Sequence, residues 1–142
     1  WITGIPARND VQCLRAESDI VLTGSGTINK DSPSMNVRLK KILASKAFDQ
    51  PKRYVFSKEL TLDWNAPFFN LPGQKVVVTS KRSLPKLARK IKNLSLLNCK
   101  SKGQFLDPKN FIEKISCVIY YLISSFFIKG TSYISWNNIC SI

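Results

Sequence analysis

Three consecutive valines at positions 76–78 constrain this chain more than any other feature. In Gln74-Lys75-Val76-Val77-Val78-Thr79-Ser80 the apolar run is continuous, without the alternation of a half-solvated strand. Such a run suits a strand buried on both faces, which is the habit of parallel sheets covered by helices. Two other short segments read as strands: Ile20–Thr23, whose three leading apolar residues suit a buried strand, and Lys52–Ser57. Helical patterns and short connectors alternate with them. The expected fold class is therefore α/β, with a mostly parallel central sheet.

The remaining elements follow from spacing and breakers. Thr3-Gly4-Ile5-Pro6-Ala7 opens a helix, with Thr3 near the cap and Pro6 in the first turn. Ala7, Val11 and Leu14 continue it at helical spacing, and Glu17-Ser18-Asp19 closes it. Residues 39–51 form a polar, basic connection with a marginal helical turn at 40–47. Residues 58–73 read as loop, broken by Pro67, Pro72 and Gly73, with Phe68, Phe69 and Leu71 tacking it to the core. Apolar residues at 84, 87, 88, 91, 94 and 97 predict a helix over Leu84–Leu97, with Pro85 in its first turn. The character then changes. Residues 1–110 form the expected domain core, and 111–142 a divergent apolar tail. In that tail, 111–114 begins a helix and Ile115–Ile128 is almost wholly apolar. It is shorter than the roughly 20 residues of a membrane span, so a buried helix is expected and no membrane partner.

The candidate site lies in Ile20–Arg38. Strand 20–23 breaks into Gly24-Ser25-Gly26-Thr27, where two glycines around a serine let the backbone turn sharply and approach a ligand. Thr27 is placed to cap a short helical turn whose free N–H groups would face phosphate. Asp31-Ser32-Pro33 ends the segment as a turn, and Arg38 adds a permanent positive charge. Taken alone, the glycine turn is more often an ordinary strand-to-helix connection.

Charge and composition exclude several chemistries. The chain carries 22 Lys+Arg against 9 Asp+Glu, a net charge of +13. Either it binds an anion or it presents solvated lysine faces. The surplus lies in 38–54 and 81–102, and no aromatic residue falls between Lys81 and Lys102. A nucleic-acid groove would interleave aromatics with its cations, so solvated faces are preferred and no nucleic acid is expected. There is no histidine, and Cys13, Cys99, Cys117 and Cys140 are widely scattered. A zinc site is therefore not expected, and without histidine no histidine base or Cys–His nucleophile pair can be built. Scattered cysteines without a signal peptide point to reduced thiols and a cytoplasmic protein. The first residue is Trp1, not Met, so the natural start is expected to lie upstream.

Several of these motifs combine into one pattern. Trp1-Ile2-Thr3-Gly4 is followed by Ala7-Arg8-x-Asp10-Val11-x-x-Leu14-Arg15-Ala16-x-Ser18-Asp19. Then come Gly24-Ser25-Gly26-Thr27 and Asp31-x-Pro33-x-Met35-x-Val37-Arg38. Together they resemble the reductase domain of the riboflavin-biosynthesis deaminase–reductase, almost without gaps over 1–38 and loosely through Ser57 and the valine strand. The resemblance implies a dihydrofolate-reductase-like three-layer α/β fold. It implies reduction of 5-amino-6-(5-phosphoribosylamino)uracil to its ribitylamino product with NADPH. It assigns cofactor contacts to Trp1, Thr27, Asp31 and Ser57, and substrate contacts to Arg15, Met35 and Arg38. It assigns no catalytic acid or base and no metal, and it implies pairing into a homodimer. Arginine's planar fork suits the substrate phosphate, and hydride transfer is the cofactor's own chemistry.

The chain departs from that family in three places. The strand that precedes the tryptophan is not in this numbering. Ser32 replaces the second aspartate of the usual Asp-Asp-Pro. Nothing after Asn110 resembles the family's Val-Glu-x-Gly-Pro-x-Leu segment. Apart from these, the family's zinc deaminase half is not in this numbering. The domain is thus expected to be incomplete. The alternatives are an inactive, degraded remnant truncated at both ends and, resting on charge alone, a basic nucleic-acid-binding module.

Overall fold

The valine segment forms an interior strand of a four-stranded parallel sheet. The computed structural model describes residues 4–44 and 48–116. Its elements run in order α1 (Ile5–Ala16), β1 (Ile20–Gly24), α2 (Ser25–Asp31), α3 (Lys40–Leu43), β2 (Lys52–Phe56), α4 (Pro67–Asn70) and β3 (Lys75–Thr79). A 3-10 turn (Ala88–Lys90), β4 (Leu94–Asn98), the short pair β5 (Ser101–Lys102) and β6 (Phe105–Leu106), and a helix α5 over 108–116 complete them. The chain divides into two units, 1–107 and 108–142, and the six strands among the described residues belong to the first. Trp1, Thr3, residues 45–47 and the apolar tail beyond 116, with Cys117 and Cys140, lie outside the described residues. Cys13 is half-buried, and the buried Cys99 donates its thiol to Asp107 O at 3.4 Å. Among the described residues no helix is long and apolar enough to cross a membrane.

The sheet order is β1-β2-β3-β4, every pair parallel. Val55 of β2 lies opposite Val77 of β3, and neither is exposed to solvent. They join Ile28 of α2, Leu62, Ala66, Phe68 and Phe69 in one buried cluster. Phe68 and Phe69 meet edge to face with ring centroids 5.0 Å apart, and Trp64 tilts over Phe69 at 4.9 Å. The predicted loop 58–73 thus tacks to the core as expected. Pro67, read as a breaker, instead starts the single turn of α4, where its fixed φ and missing N–H carry no penalty.

Three local expectations are corrected. Leu84–Leu97 is not a helix. It holds the 3-10 turn, and its last four residues belong to β4. The apolar spacing is real, but the free edge of β3 needs backbone partners more than the segment needs helical ones. β4 supplies them, and flanking bonds run from Lys75 N to Asn93 O (2.9 Å) and from Cys99 N to Thr79 O (2.7 Å). Asn93 turns the chain into β4 at φ 56°, a conformation that asparagine tolerates. Second, β1 is paired on one side only among the described residues, and Leu22 is half exposed, so it is not a fully buried strand. Third, Gly24, not Thr27, is the N-cap of α2; Thr27 lies inside its first turn.

Because Phe68 is wholly buried at the centre of the cluster, Phe68→Ala is expected to cost about 3–5 kcal/mol in urea unfolding. A loss below about 1 kcal/mol would mean that the core lies elsewhere.

Candidate functional site

Two groups of residues surround α2, one at each end. At its N-terminus, β1 ends at Gly24, which pairs with Phe56 across the sheet. Ser57 follows Phe56 directly, so it lies with the first turn of α2 at the carboxyl edge of the strands. Crevices at that edge are where open parallel sheets hold ligands. Neither Gly24 nor Gly26 has a positive φ, so neither needs glycine's backbone freedom. What they contribute is space: a Cβ built on either meets nothing within 4 Å. Ser57 is 2% exposed, and its Oγ is buried without a hydrogen-bond partner. A buried hydroxyl left unmade is uncommon and points to a ligand or water that completes it. Thr27 and Asp31 lie one helical turn apart on α2, hence on one face, and both are exposed.

At the other end of α2, Ser32 (φ 45°) and Met35 (φ 55°) take left-handed conformations, and the chain loops through Arg38 to α3. Non-glycine residues held there persist only when their surroundings fix them. Three side chains do so. Gln12 of α1 accepts from Arg38 N at 2.7 Å. Gln50 accepts from Val37 N and donates to Val37 O, both at 2.9 Å. Arg53 of β2 donates to Ser34 O at 2.9 Å. The fixed loop brings Met35 Sδ to 3.8 Å from Arg15 Nη2. Burial, and then the charge of Arg38, push the Arg15 guanidinium below its ordinary value. Neither arginine forms an ion pair with a carboxylate among the described residues. Two close guanidinium groups without a counter-ion favour an anion between them. Asn36, in the same loop, also buries Oδ1 without a partner.

The structure therefore brings Arg15, Met35 and Arg38 into one cluster. It places Ser57 and the start of α2 at one sheet edge, with Asp31 one turn further along. Trp1 lies outside the described residues. The sequence reading did not single out Gln12, Gln50 or Arg53. Nothing about Gln50 marks it, since its partners are backbone atoms of a loop set by tertiary packing. Arg53 carried a faint signal: an arginine inside a strand next to a doubly buried one has nowhere exposed to go.

A family model described as the RibD C-terminal domain matches residues 1–116. The riboflavin biosynthesis protein RibD of Aquifex aeolicus is 31% identical over 115 residues, covering 81% of this chain and 30% of its own length. A protein of Buchnera aphidicola named 5-amino-6-(5-phosphoribosylamino)uracil reductase is 39% identical over 66 residues, covering 42% of this chain and 32% of its own length. The chain thus spans roughly a third of the curated relatives that it matches. Among solved structures, Acinetobacter baumannii RibD matches with a TM-score of 0.60 and 32% identity, over 71% of this chain and 27% of that one. A riboflavin biosynthesis reductase of Saccharomyces cerevisia shares the fold at a TM-score of 0.59 and 16% identity, over 75% of this chain and 46% of that one. The architecture is that of the dihydrofolate-reductase-like domain of these proteins.

The double bond from Gln50 to buried Val37 yields a direct test. Gln50→Ala strands two buried backbone groups, so it is expected to cost about 1–3 kcal/mol. Hydrogen exchange at the Val37 amide should speed up with it, and unchanged exchange would show that the loop is held by other means.

Proposed function

The chain belongs to the RibD C-terminal domain family. From that membership and from the site, we propose that it is a reductase acting on 5-amino-6-(5-phosphoribosylamino)uracil with NADPH in the cytoplasm, giving the ribitylamino product. The observation that carries this reading is the Arg15–Met35–Arg38 cluster. It is cationic, has no carboxylate partner among the described residues, and falls on the positions that the resemblance assigns to a phosphorylated substrate. The arginines bind and orient that phosphate, and the side chain of Met35 gives them an apolar neighbour.

The residues at the sheet edge fit a nicotinamide cofactor. Ser57 Oγ is a buried group without a partner, and Gly24 and Gly26 leave open space beside it. Thr27 and Asp31 add hydroxyl and carboxylate groups on the facing helix. When bound, NADPH supplies the hydride. The protein's part is alignment of two ligands at opposite ends of one short helix. No side chain in the cluster is needed as an acid or base, which suits a chain without histidine.

Purified protein should oxidise NADPH only when the aminouracil substrate is present. Failure both to bind NADPH and to consume it would overturn this reading. Arg38→Ala should raise the substrate KM about 10–100-fold, the worth of a charge-assisted contact. Its NADPH affinity should change less than about twofold, because the two sites share no partner. Ser57→Ala should leave the unliganded protein as stable or up to about 1 kcal/mol more stable, since it removes an unsatisfied buried group. The same change should weaken NADPH binding; a destabilised protein with normal NADPH affinity would make Ser57 structural.

A further inference from the structure

At the amino-terminal ends of β3 and β4, the segments 64–72 and 87–93 enclose a groove of about 520 Å3. It lies at the opposite ends of the strands from Ser57 and Gly24, and neither the proposed substrate cluster nor the proposed cofactor residues line it. Its volume is within the range of small-molecule sites, roughly 300–1,000 Å3. Trp64, Phe69 and Leu87 give it apolar walls, Lys75, Lys90 and Lys92 give it charge, and no carboxylate lines it.

The lysines are not equivalent. Lys90 and Lys92 are exposed. Lys75 is 3% exposed, and its Nζ donates to Phe69 O at 3.0 Å and Leu71 O at 2.9 Å. That uses two of its three N–H groups and leaves one for the groove that it lines. Arg53, opposite Lys75 in the sheet register, is 1% exposed. Burial, and then the charge of Arg53, push the Lys75 ammonium below its ordinary value. Neither cation forms an ion pair among the described residues. Arg53 is met by three carbonyl oxygens and does not line the groove, whereas the buried charge of Lys75 faces it without a counter-ion, and an anion there would offset the cost of that burial. The apolar surface beside them is aromatic and partly open. Trp64 is braced on Phe69 and half-buried, and Leu87 is 58% exposed.

We propose that this groove is a second ligand site that takes a nucleoside monophosphate, with the base against Trp64 and Leu87 and the phosphate among Lys75, Lys90 and Lys92. A flat ring accounts for the aromatic wall and a single phosphate for the lysines. The site does not depend on the proposed reductase activity.

Calorimetric titration of the full chain with AMP, adenosine and inorganic phosphate tests it. AMP should bind at least about tenfold more tightly than either fragment. The exposed pair Lys90→Ala/Lys92→Ala should weaken AMP about tenfold or more, and Trp64→Leu should do the same. Thr27→Ala should leave AMP affinity unchanged. Absence of AMP binding at millimolar concentration would overturn the proposal. So would phosphate binding as tightly as AMP, or AMP affinity that falls with Thr27→Ala and not with the lysine pair. The last result would put AMP in the proposed cofactor site.

Discussion

The buried guanidinium of Arg53 ties the separate parts of this domain together. It projects from an interior strand and donates to Ser34 O on one side, and to Leu71 O and Pro72 O, at 3.0 and 2.7 Å, on the other. It also lies over the ring of Phe68, 5.4 Å from the centroid. One side chain thus fixes the loop that carries Met35 and Arg38, the turn that feeds β3, and the central aromatic of the core. Arginine is suited to this because its planar fork serves several carbonyls at once and its charge cannot be removed by burial. Burial does push it below its ordinary value. Its three carbonyl partners supply what a carboxylate would supply elsewhere.

The sheet was legible wherever local pattern and tertiary need agreed. Val76–Val78 announced a doubly buried strand because a continuous β-branched run has few other uses. Lys52–Phe56 lies beside it and Ile20–Gly24 beside Lys52–Phe56, so the strands stand in the same order as in the sequence. The error over 84–97 shows the limit of pattern. Leu84, Leu87, Ala88 and Ile91 do fit a helical stripe, yet Leu87 is 58% exposed and Leu94–Asn98 pairs along β3. Periodicity describes what a segment could bury, whereas the open edge of β3 decided what it had to bond.

The site was legible in a different way. Arg15, Met35 and Arg38 were assigned by resemblance, and the structure sets Met35 against Arg15 and brings Arg38 near enough for its charge to act on Arg15. No spacing rule would have done so, since they lie on a helix end and a distant loop. What holds that loop was not legible at all. Gln12, Gln50 and Arg53 act on backbone atoms whose positions exist only after folding. The glycine turn was read for the wrong property. Gly24 and Gly26 matter for the volume they leave open, not for a conformation that only glycine reaches.

These two kinds of residue divide the work of the site. On the loop side the backbone is held: Val37 N and O, Arg38 N and Ser34 O all have side-chain partners, at distances of 2.7–2.9 Å. The sheet-edge side leaves a partner unmade at Ser57 Oγ. A rigid loop with bare guanidinium groups is preorganised for a charged ligand, because no side chain must give up an existing ion pair to receive it. A buried hydroxyl without a partner contributes nothing to folding and something to binding, since a ligand that completes it recovers the cost of its burial. Stability and ligand affinity are therefore drawn from different atoms around α2, and a change that improves one side need not harm the other.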